Sequence, residues 1–583
     1  MMLSSVHRAS DSLKRVNTCT LKLRIALKET DKSTLETDLE SETDKQSTVA
    51  TNYPPSTHVT DSEVEDAIKL FVTPPASKDD AAVETPKLPL PGAIDVHRYD
   101  LLASQLTNSP NATILPRNFI LKAKSTPYDQ LCLSQGKDPS KSIARLSVTK
   151  ILPFNWCELR TIFNVYDGVF EKPQTAPMLR GKLEHSVFER TTHPSKSYSI
   201  DLDGVEKEIH IEQTHSFSQL PAEPIVQEEL EDIGKRGLQI DPKLRELAVK
   251  WTSTVLRLLT LFQFGECREV LVHAMYDREN SCLLEGGGAT GSSPLDPDNY
   301  ILISGIIDHL MFENDTAEGV FEGYQEELKD SITDFLDISD LIKQVGLRAN
   351  TWCDKNDPFL YVTVKDLKTR KSRSLPHPAQ QQSAKYQVGM YRKFLELLSR
   401  DPRLTYQLMI INAQKRGIDP FQVLPEALVS ELILQNHYLI RDFERLKNGK
   451  QIGFEAYDED SRVSKDHFKL SLRGESTTPS QLLGKWETPP TLAYLAARMS
   501  QLYHTLNPFF SDRNYIEYSC QGEVFRQMPY RYNEKEIDQA IDQGMALWLG
   551  KREPEGPFVK SICKYCDFHQ QCEWHLRQEG AIN

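Results

Sequence analysis

The chain has 583 residues, 39% hydrophobic and 26% charged, with a formal net charge of −14. That length suits one large domain with insertions or two to three ordinary ones, and that balance suits a globular protein with polar extensions. The absence of any apolar run of about 18 residues excludes a spanning helix, and ten cysteines in a chain this long do not make a disulfide scaffold.

Residues 1–28 carry six Lys/Arg and one acid, Asp11, among several Ser and Thr. A basic, hydroxylated, acid-poor leader is the pattern of a mitochondrial transit peptide, with an ordinary basic arm as the alternative. Residues 29–95 are then rich in Thr, Ser, Pro and acids. Between 30 and 95 there are 14 acids and 5 bases, so −9 of the −14 falls here. Such a segment buries too little apolar surface to offset its ordering entropy and is expected to be a disordered acidic linker. The remainder is close to neutral, so the global charge does not exclude a nucleic-acid partner, which needs only local basicity.

A folded region is expected over 96–583. ARLSVTKILPFNWCELRTIFN, 144–164, reads as a short strand running into a helix, and GKLEHSVFERTTH, 181–193, as a helix. DPKLRELAVKWTSTVLRLLTLFQFG, 241–265, is a buried-face helix stopped by Gly265. REVLVHAMYD, YILISGIIDHLMF and FLYVTVKDLKTR read as three strands. A Gly/Ser/Pro loop separates the first two, and an acidic insertion, 313–343, separates the last two. The segment 379–400 is an amphipathic helix. TYQLMIIN, 405–412, suits a strand or more helix, and 533–552 is a helix capped by Asn533. Helix, strand, strand, strand, helix is a mixed α/β core.

The chemistry sits at strand ends in this reading. Asp308 is expected to end the apolar strand ILISGIID, where a carboxylate is costly unless paired or bound to metal. Asp366 and Lys368 are two apart and project from one face of the next strand. A carboxylate holds a hard cation such as Mg²⁺, and a neighbouring ammonium orients water or steadies charge on phosphate. A same-face ion pair on an edge strand is the bland alternative. Gln387 and Tyr391, four apart, share a helix face. Near the C-terminus, CKYCDFHQQC places Cys563, Cys566 and Cys572 at C-x2-C-x5-C spacing, three thiols of a site that usually takes four.

Taken in order, His185 in GKLEH, Asp308 in GIID, Asp366 and Lys368 in DLK, and Gln387 and Tyr391 in QVGMY resemble the motifs of the PD-(D/E)xK nuclease superfamily, in its RecB-like branch. With WCELR near the start and WLGKREPEGP before the cysteines, the chain resembles the exonuclease V family, most of all its fungal mitochondrial members. The resemblance covers roughly residue 100 to the end. It implies a restriction-endonuclease-like core, a central mixed sheet flanked by helices, with helical insertions and a cluster-bound C-terminal tail over 553–583.

The same resemblance implies a metal-dependent exonuclease on single-stranded DNA in mitochondrial DNA maintenance. His185, Asp308, Asp366 and the Leu367 carbonyl would hold Mg²⁺, with Mn²⁺ as the substitute. Lys368, Gln387 and Tyr391 would complete the site. It names Cys157 as the fourth ligand of a [4Fe–4S] cluster, with tetrahedral zinc the alternative and His569 or His575 lesser candidates as ligands. Arg370, Lys371 and Arg373 follow the catalytic strand as phosphate contacts or as a solvated strand end. A monomer is expected, with no membrane partner and with a single-strand-binding protein left open. A non-catalytic DNA-binding scaffold and a structure-specific endonuclease of the same fold are the rival functions. No G-x4-GK[ST] is present, so a helicase fusion is excluded.

Overall fold

The computed structural model describes residues 102–582 apart from internal stretches, of which 213–239, 286–294, most of 315–336, and 464–485 are the longest. The leader 1–28, the linker 29–95 and the middle of the 313–343 insertion lie outside the described residues. No helix among the described residues is long and apolar enough to cross a membrane.

The strands are β1 (Leu146–Ser147), β2 (Ser195–Leu202), β3 (Val205–Glu212), β4 (Glu266–Asp277), β5 (Cys282–Leu283), β6 (Tyr300–Glu313), β7 (Cys353–Asp354), β8 (Asp357–Pro358), β9 (Tyr361–Thr369), β10 (Phe510–Cys520) and β11 (Glu523–Arg531). Seven of them form one sheet in the order β11-β10-β9-β6-β4-β5, with β1 added to β6. The β9–β10 and β1–β6 pairs are parallel and the other pairs antiparallel, so the sheet is mixed. β2 with β3 and β7 with β8 make separate two-stranded ribbons.

The helices that matter to the site are α1 (Pro127–Ser134), α2 (Val148–Ile151), α3 (Glu158–Tyr166), α4 (Ala176–Thr192), α5 (Pro242–Phe264), α6 (Ile338–Trp352), α7 (Pro378–Arg400), α8 (Pro402–Lys415), α9 (Leu492–Thr505), α10 (Glu534–Trp548) and α11 (Glu573–Gln578). The architecture is α/β, a mixed central sheet flanked by helices, and one large hydrophobic core joins α5, α7, α8, α9 and α10 to the sheet.

Local chemistry accounts for the main elements. α5 starts with Asp241 accepting the Lys243 N–H and Pro242 at the first turn, and it stops at Gly265, whose φ of +86° suits glycine. Its Leu244, Leu247, Trp251, Val255, Leu258 and Phe262 are buried at helical spacing. TYQLMIIN lies within α8. Asp401 accepts the Arg403 and Leu404 N–H groups and Pro402 opens the first turn, so helix chemistry decides an apolar run that alone suits either state. Asn533 caps α10 as expected, accepting the Glu536 N–H. The last residues of the 313–343 segment begin α6, whose Ile338, Leu341, Val345 and Ala349 enter the main core.

Two expectations need correction. Asp308 does not end its strand: β6 runs on to Glu313, because residues 309–313 pair with β9. The order helix, strand, strand, strand, helix is also incomplete, since the β10–β11 hairpin extends the sheet beyond β9.

Candidate active site

The site forms where two central strands part. β6 and β9 pair from Glu313↔Tyr361 to His309↔Lys365, and the next pair in register would be Asp308 with Asp366. The ladder stops there. β9 continues on β10 alone, and β6 is taken up by β1 through Ser147↔Ser304 and Leu146↔Ile303. The Leu367 N–H, without a β6 partner, donates to Asp308 Oδ2 at 2.8 Å. The fork opens into a cavity of about 440 Å³ lined by His185, Asp308, Asp366, Lys368, Arg370 and Gln387 among others.

Asp366 is 1% exposed, and Lys368 Nζ lies 2.7 Å from its Oδ2. That contact is poorly angled, so neither Asp366 oxygen has a hydrogen-bond partner of good geometry. Lys368 donates to Gln387 Oε1 at 2.9 Å, and Gln387 Nε2 donates to Tyr391 Oη at 2.8 Å. The D-x-K strand and the Q-x3-Y helix are thereby one polar chain. Tyr391 reaches this position because residue 305 is glycine: a Cβ there would stand 2.3 Å from the tyrosine ring.

His185 comes from α4, and its Nδ1 is 3.8 Å from Asp308 Oδ1. Two contacts seat α4 on the sheet. Ser519 Oγ of β10 donates to Glu184 at 2.9 Å, and a Cβ on Gly181 would meet Thr369 Oγ1 at 3.1 Å. In GKLEH, then, glycine sets the approach, glutamate the anchor, and histidine, one residue further, reaches the cavity.

The electrostatics are those of two buried carboxylates that share one ammonium. Burial pushes Asp366 up to about 6, and the Asp308 charge adds to this while Lys368 opposes it. Asp308 is raised, again by burial first. Burial lowers His185, which favours the neutral imidazole that ligates metals. Burial disfavours the Lys368 ammonium, but Asp366 and Asp308 outweigh it and the group is raised. A divalent ion would invert the carboxylate shifts.

The structure also places a residue that the sequence reading missed. Glu269 of β4 stands across from Asp308 in register, between the pairs Arg268↔His309 and Val270↔Ile307. Each of His185, Glu269 and Asp308 offers a ligand atom within 4.8 Å of the others. Glu269 has φ +56°, an unusual conformation for a non-glycine residue, and its carbonyl accepts from Arg257 Nη1 at 2.9 Å. Burial, then Asp308 and Glu189, push it up to about 7. Asp366 is not part of this metal-competent trio. Of the three expected phosphate contacts, Arg370 lines the cavity, Lys371 is exposed, and Arg373 forms an ion pair with Glu523.

Cys157, Cys563, Cys566 and Cys572 line one apolar pocket, together with Phe163, Phe568 and Trp574. Cys157 is the N-cap residue of α3. Its thiol is pushed up to about 12 by burial and by the other three cysteines, and Cys563 to about 11 by burial and by Cys566 and Cys572. His569 and His575 border the same pocket, and His569 Nδ1 is 2.8 Å from the Cys566 carbonyl. Protein contacts hold the tail in place as well. Glu158 of WCELR takes both Arg552 nitrogens at 2.6 and 2.7 Å and the Glu555 N–H at 2.9 Å. Glu553 accepts three consecutive N–H groups, from Phe119, Ile120 and Leu121.

Residues 139–575 match the family model "Exonuclease V - a 5′ deoxyribonuclease". The chain is 32% identical over 463 residues to "Exonuclease V, mitochondrial" of Candida albicans (strain WO-1), with 73% of each chain covered. The protein of the same name from Kluyveromyces lactis is 32% identical over 469 residues, covering 74% of this chain and 75% of that one. The Debaryomyces hansenii protein is 30% identical over 498 residues, covering 77% and 78%.

Proposed function

The chain belongs to the exonuclease V family and is a DNA exonuclease, and from that premise we propose a metal-dependent enzyme that hydrolyses single-stranded DNA in the mitochondrion. The observation that carries the reading is the fork itself, with Asp308, Asp366, Lys368 and His185 converging on one cavity. The core is read as PD-(D/E)xK. His185, Asp308, Asp366 and the Leu367 carbonyl, now with Glu269, are the groups that would hold Mg²⁺ or Mn²⁺. The orphaned, buried Asp366 oxygens and the neighbouring His185, Glu269 and Asp308 atoms fit such an ion. When bound, magnesium supplies a Lewis acid that activates water and neutralises phosphate charge.

The protein groups do the rest. Lys368 keeps a charged ammonium at the cavity and steadies the developing phosphate charge or orients the attacking water. Gln387 aims Lys368, and Tyr391 fixes Gln387. Asp366 balances the ammonium from 2.7 Å away. Arg370 contacts the strand's backbone.

For the tail the proposed group is a [4Fe–4S] cluster on Cys157, Cys563, Cys566 and Cys572, acting as a structural staple. Four thiols lining one pocket fit such a group, and the choice of iron over zinc rests on the resemblance to the exonuclease V family. The leader 1–28 is proposed to deliver the protein to the organelle that the relatives' names state for them.

The test is an end-labelled single strand with Mg²⁺, free or blocked at each terminus. Degradation from a free end, lost on blocking, is expected. Cutting of a circular strand would replace the reading with an endonuclease, and tight binding without cutting would replace it with a scaffold.

A further inference from the structure

A second charged feature adjoins the fork and has no part in the site just described. Arg145 immediately precedes β1, and its Nη1 is 3.2 Å from Ser304 Oγ of β6. Ser304 is four residues from Asp308, and β6 pairs regularly with β4 between them, so both project to one side of the strand. At about 3.3 Å per residue the two are roughly 13 Å apart. The residue between them on that side, Ile306, is 38% exposed although it lies in a central strand, which marks an open floor. The chain then turns into α2, whose Thr149 lines the cavity with Leu152, while Lys150 is exposed between them.

Around Arg145 gather Lys137, Lys150, Lys243 and Arg416; Lys415 Nζ donates to the Lys141 carbonyl at 2.7 Å, which sets the end of α8, with Arg416, against the loop that carries Lys137 and leads to Arg145. Arg145, Lys150 and Lys243 are exposed, and Lys137 and Arg416 half-buried. Among the described residues none of the five forms an ion pair with a carboxylate. Glu246, whose carboxyl is held low first by Lys250 and then by Arg416 and Arg145, pairs with Lys250 at 2.5 Å. The bases feel one another. Lys137 is lowered by burial and then by Lys243, Arg145 and Arg416. Lys150 is lowered by burial and then by Arg145 and Lys137, and Arg416 falls to about 10 through burial and Arg145. Like charges held together cost stability, and a polyanion laid across them removes that cost.

We propose that Lys137, Arg145, Lys150, Lys243 and Arg416 form a phosphate-binding track for single-stranded nucleic acid, running from the fork along its β1 side. The track holds the strand about four nucleotides from the Asp308–Asp366 cavity, taking the 13 Å offset at the stacked spacing of ~3.4 Å per nucleotide. It faces the β9 wall, where Arg370 lines the same cavity, so the strand crosses the fork from one basic wall to the other. Phosphates position the strand and carry no sequence information, which suits an exonuclease. The track rests on the nuclease reading only for its direction towards the cavity.

The experiment measures fluorescence anisotropy of a labelled oligothymidylate with the full-length protein in calcium buffer across a salt series. It compares wild type with the triple variant Lys137→Gln, Arg145→Gln, Lys150→Gln and with the charge-keeping variant Lys137→Arg, Arg145→Lys, Lys150→Arg. Each lost phosphate contact flattens the slope of log affinity against log salt by about 0.7 on a single strand, so the Gln variant is expected to lose about 2. The charge-keeping variant is expected to retain the wild-type slope, which separates charge from fold. A Gln variant with the wild-type slope overturns the track, whatever the cutting assay shows. Track-dependent binding with no Mg²⁺-dependent cutting of the same strand by wild type overturns the nuclease reading and leaves the track standing.

Discussion

Replacing Asp366 with Asn should stabilise the metal-free protein while abolishing its activity. The wild-type carboxyl is buried and lacks a well-angled hydrogen bond, and burial raises it from 3.8 to about 6. A carboxyl whose folded pKa is raised contributes stability below its unfolded pKa and loses it as pH rises through the folded pKa. Between about pH 4 and 6 the metal-free protein therefore weakens, and above that the cost is steady at about 3 kcal/mol, from ~1.4 kcal/mol per unit. Asn removes this cost, which already includes the attraction of the Lys368 ammonium, so the net gain is about 3 kcal/mol at neutral pH. Over the 139–575 family region, at about 2.1 cal/mol/K per residue, this raises the melting temperature by roughly 3 °C. Calorimetry at pH 7 and pH 4.5, with and without Mg²⁺, reads the effect. Mg²⁺ should stabilise wild type at pH 7, do less at pH 4.5, and do little for the Asn variant. A variant less stable than metal-free wild type at pH 7, or one that keeps the full Mg²⁺ shift, would refute the account of Asp366 as a carboxylate awaiting a cation.

Three further outcomes follow from the same geometry. Glu269→Gln should weaken metal affinity by about tenfold or more while leaving DNA affinity in calcium close to wild type, as read by activity against metal concentration. Gly544→Ala puts a Cβ 2.1 Å from the Ile151 carbonyl, a backbone atom that cannot yield cheaply, and should cost at least about 2 kcal/mol in a melt. Cys157→Ala should remove a ligand of the tail site and with it the bound iron; an unchanged absorbance spectrum and iron content would exclude Cys157 as that ligand.

Much of the site was legible because its signals are local. A glycine four residues before a histidine, a D-x-K on a strand and Q-x3-Y on a helix each sit within one element, where periodicity fixes which side chains share a face. Glu269 carries no such signal. Its place is set by register across β4 and β6 and by a φ of +56°, neither of which a single segment encodes. The β10–β11 hairpin escaped for a related reason. Its two-residue turn is Gln521-Gly522, with φ +53° and +78°, and glutamine is a weak marker for a position that favours Asn or Gly. Asp308 was misplaced because a carboxylate in an apolar strand reads as a terminus. What allows it mid-strand is the fork, where the Leu367 N–H turns to it.

The distant tail bears on the cavity through a continuous set of contacts. α10 delivers the chain to the cysteines, and before it does so it clamps α2: Trp548 Nε1 donates to the Lys150 carbonyl at 3.0 Å, and Gly544 admits the Ile151 carbonyl. α2 in turn supplies Thr149 to the cavity wall, with Leu152 just after it. The tail meets α3 through the Glu158–Arg552 pair and the Cys157 pocket, and it meets residues 115–121 through Glu553, Glu573 and the Leu115↔Cys572 bridge. The wall of the fork made by β1 and α2 is thus fixed from behind by the tail, whereas the opposite wall, β9, is fixed by β10 and α7. The width of the cleft is the distance between these two separately supported walls. Loosening the tail should therefore be felt first as a misplaced strand at the fork, since Asp308, Asp366 and Lys368 stand on sheet strands that the tail does not hold.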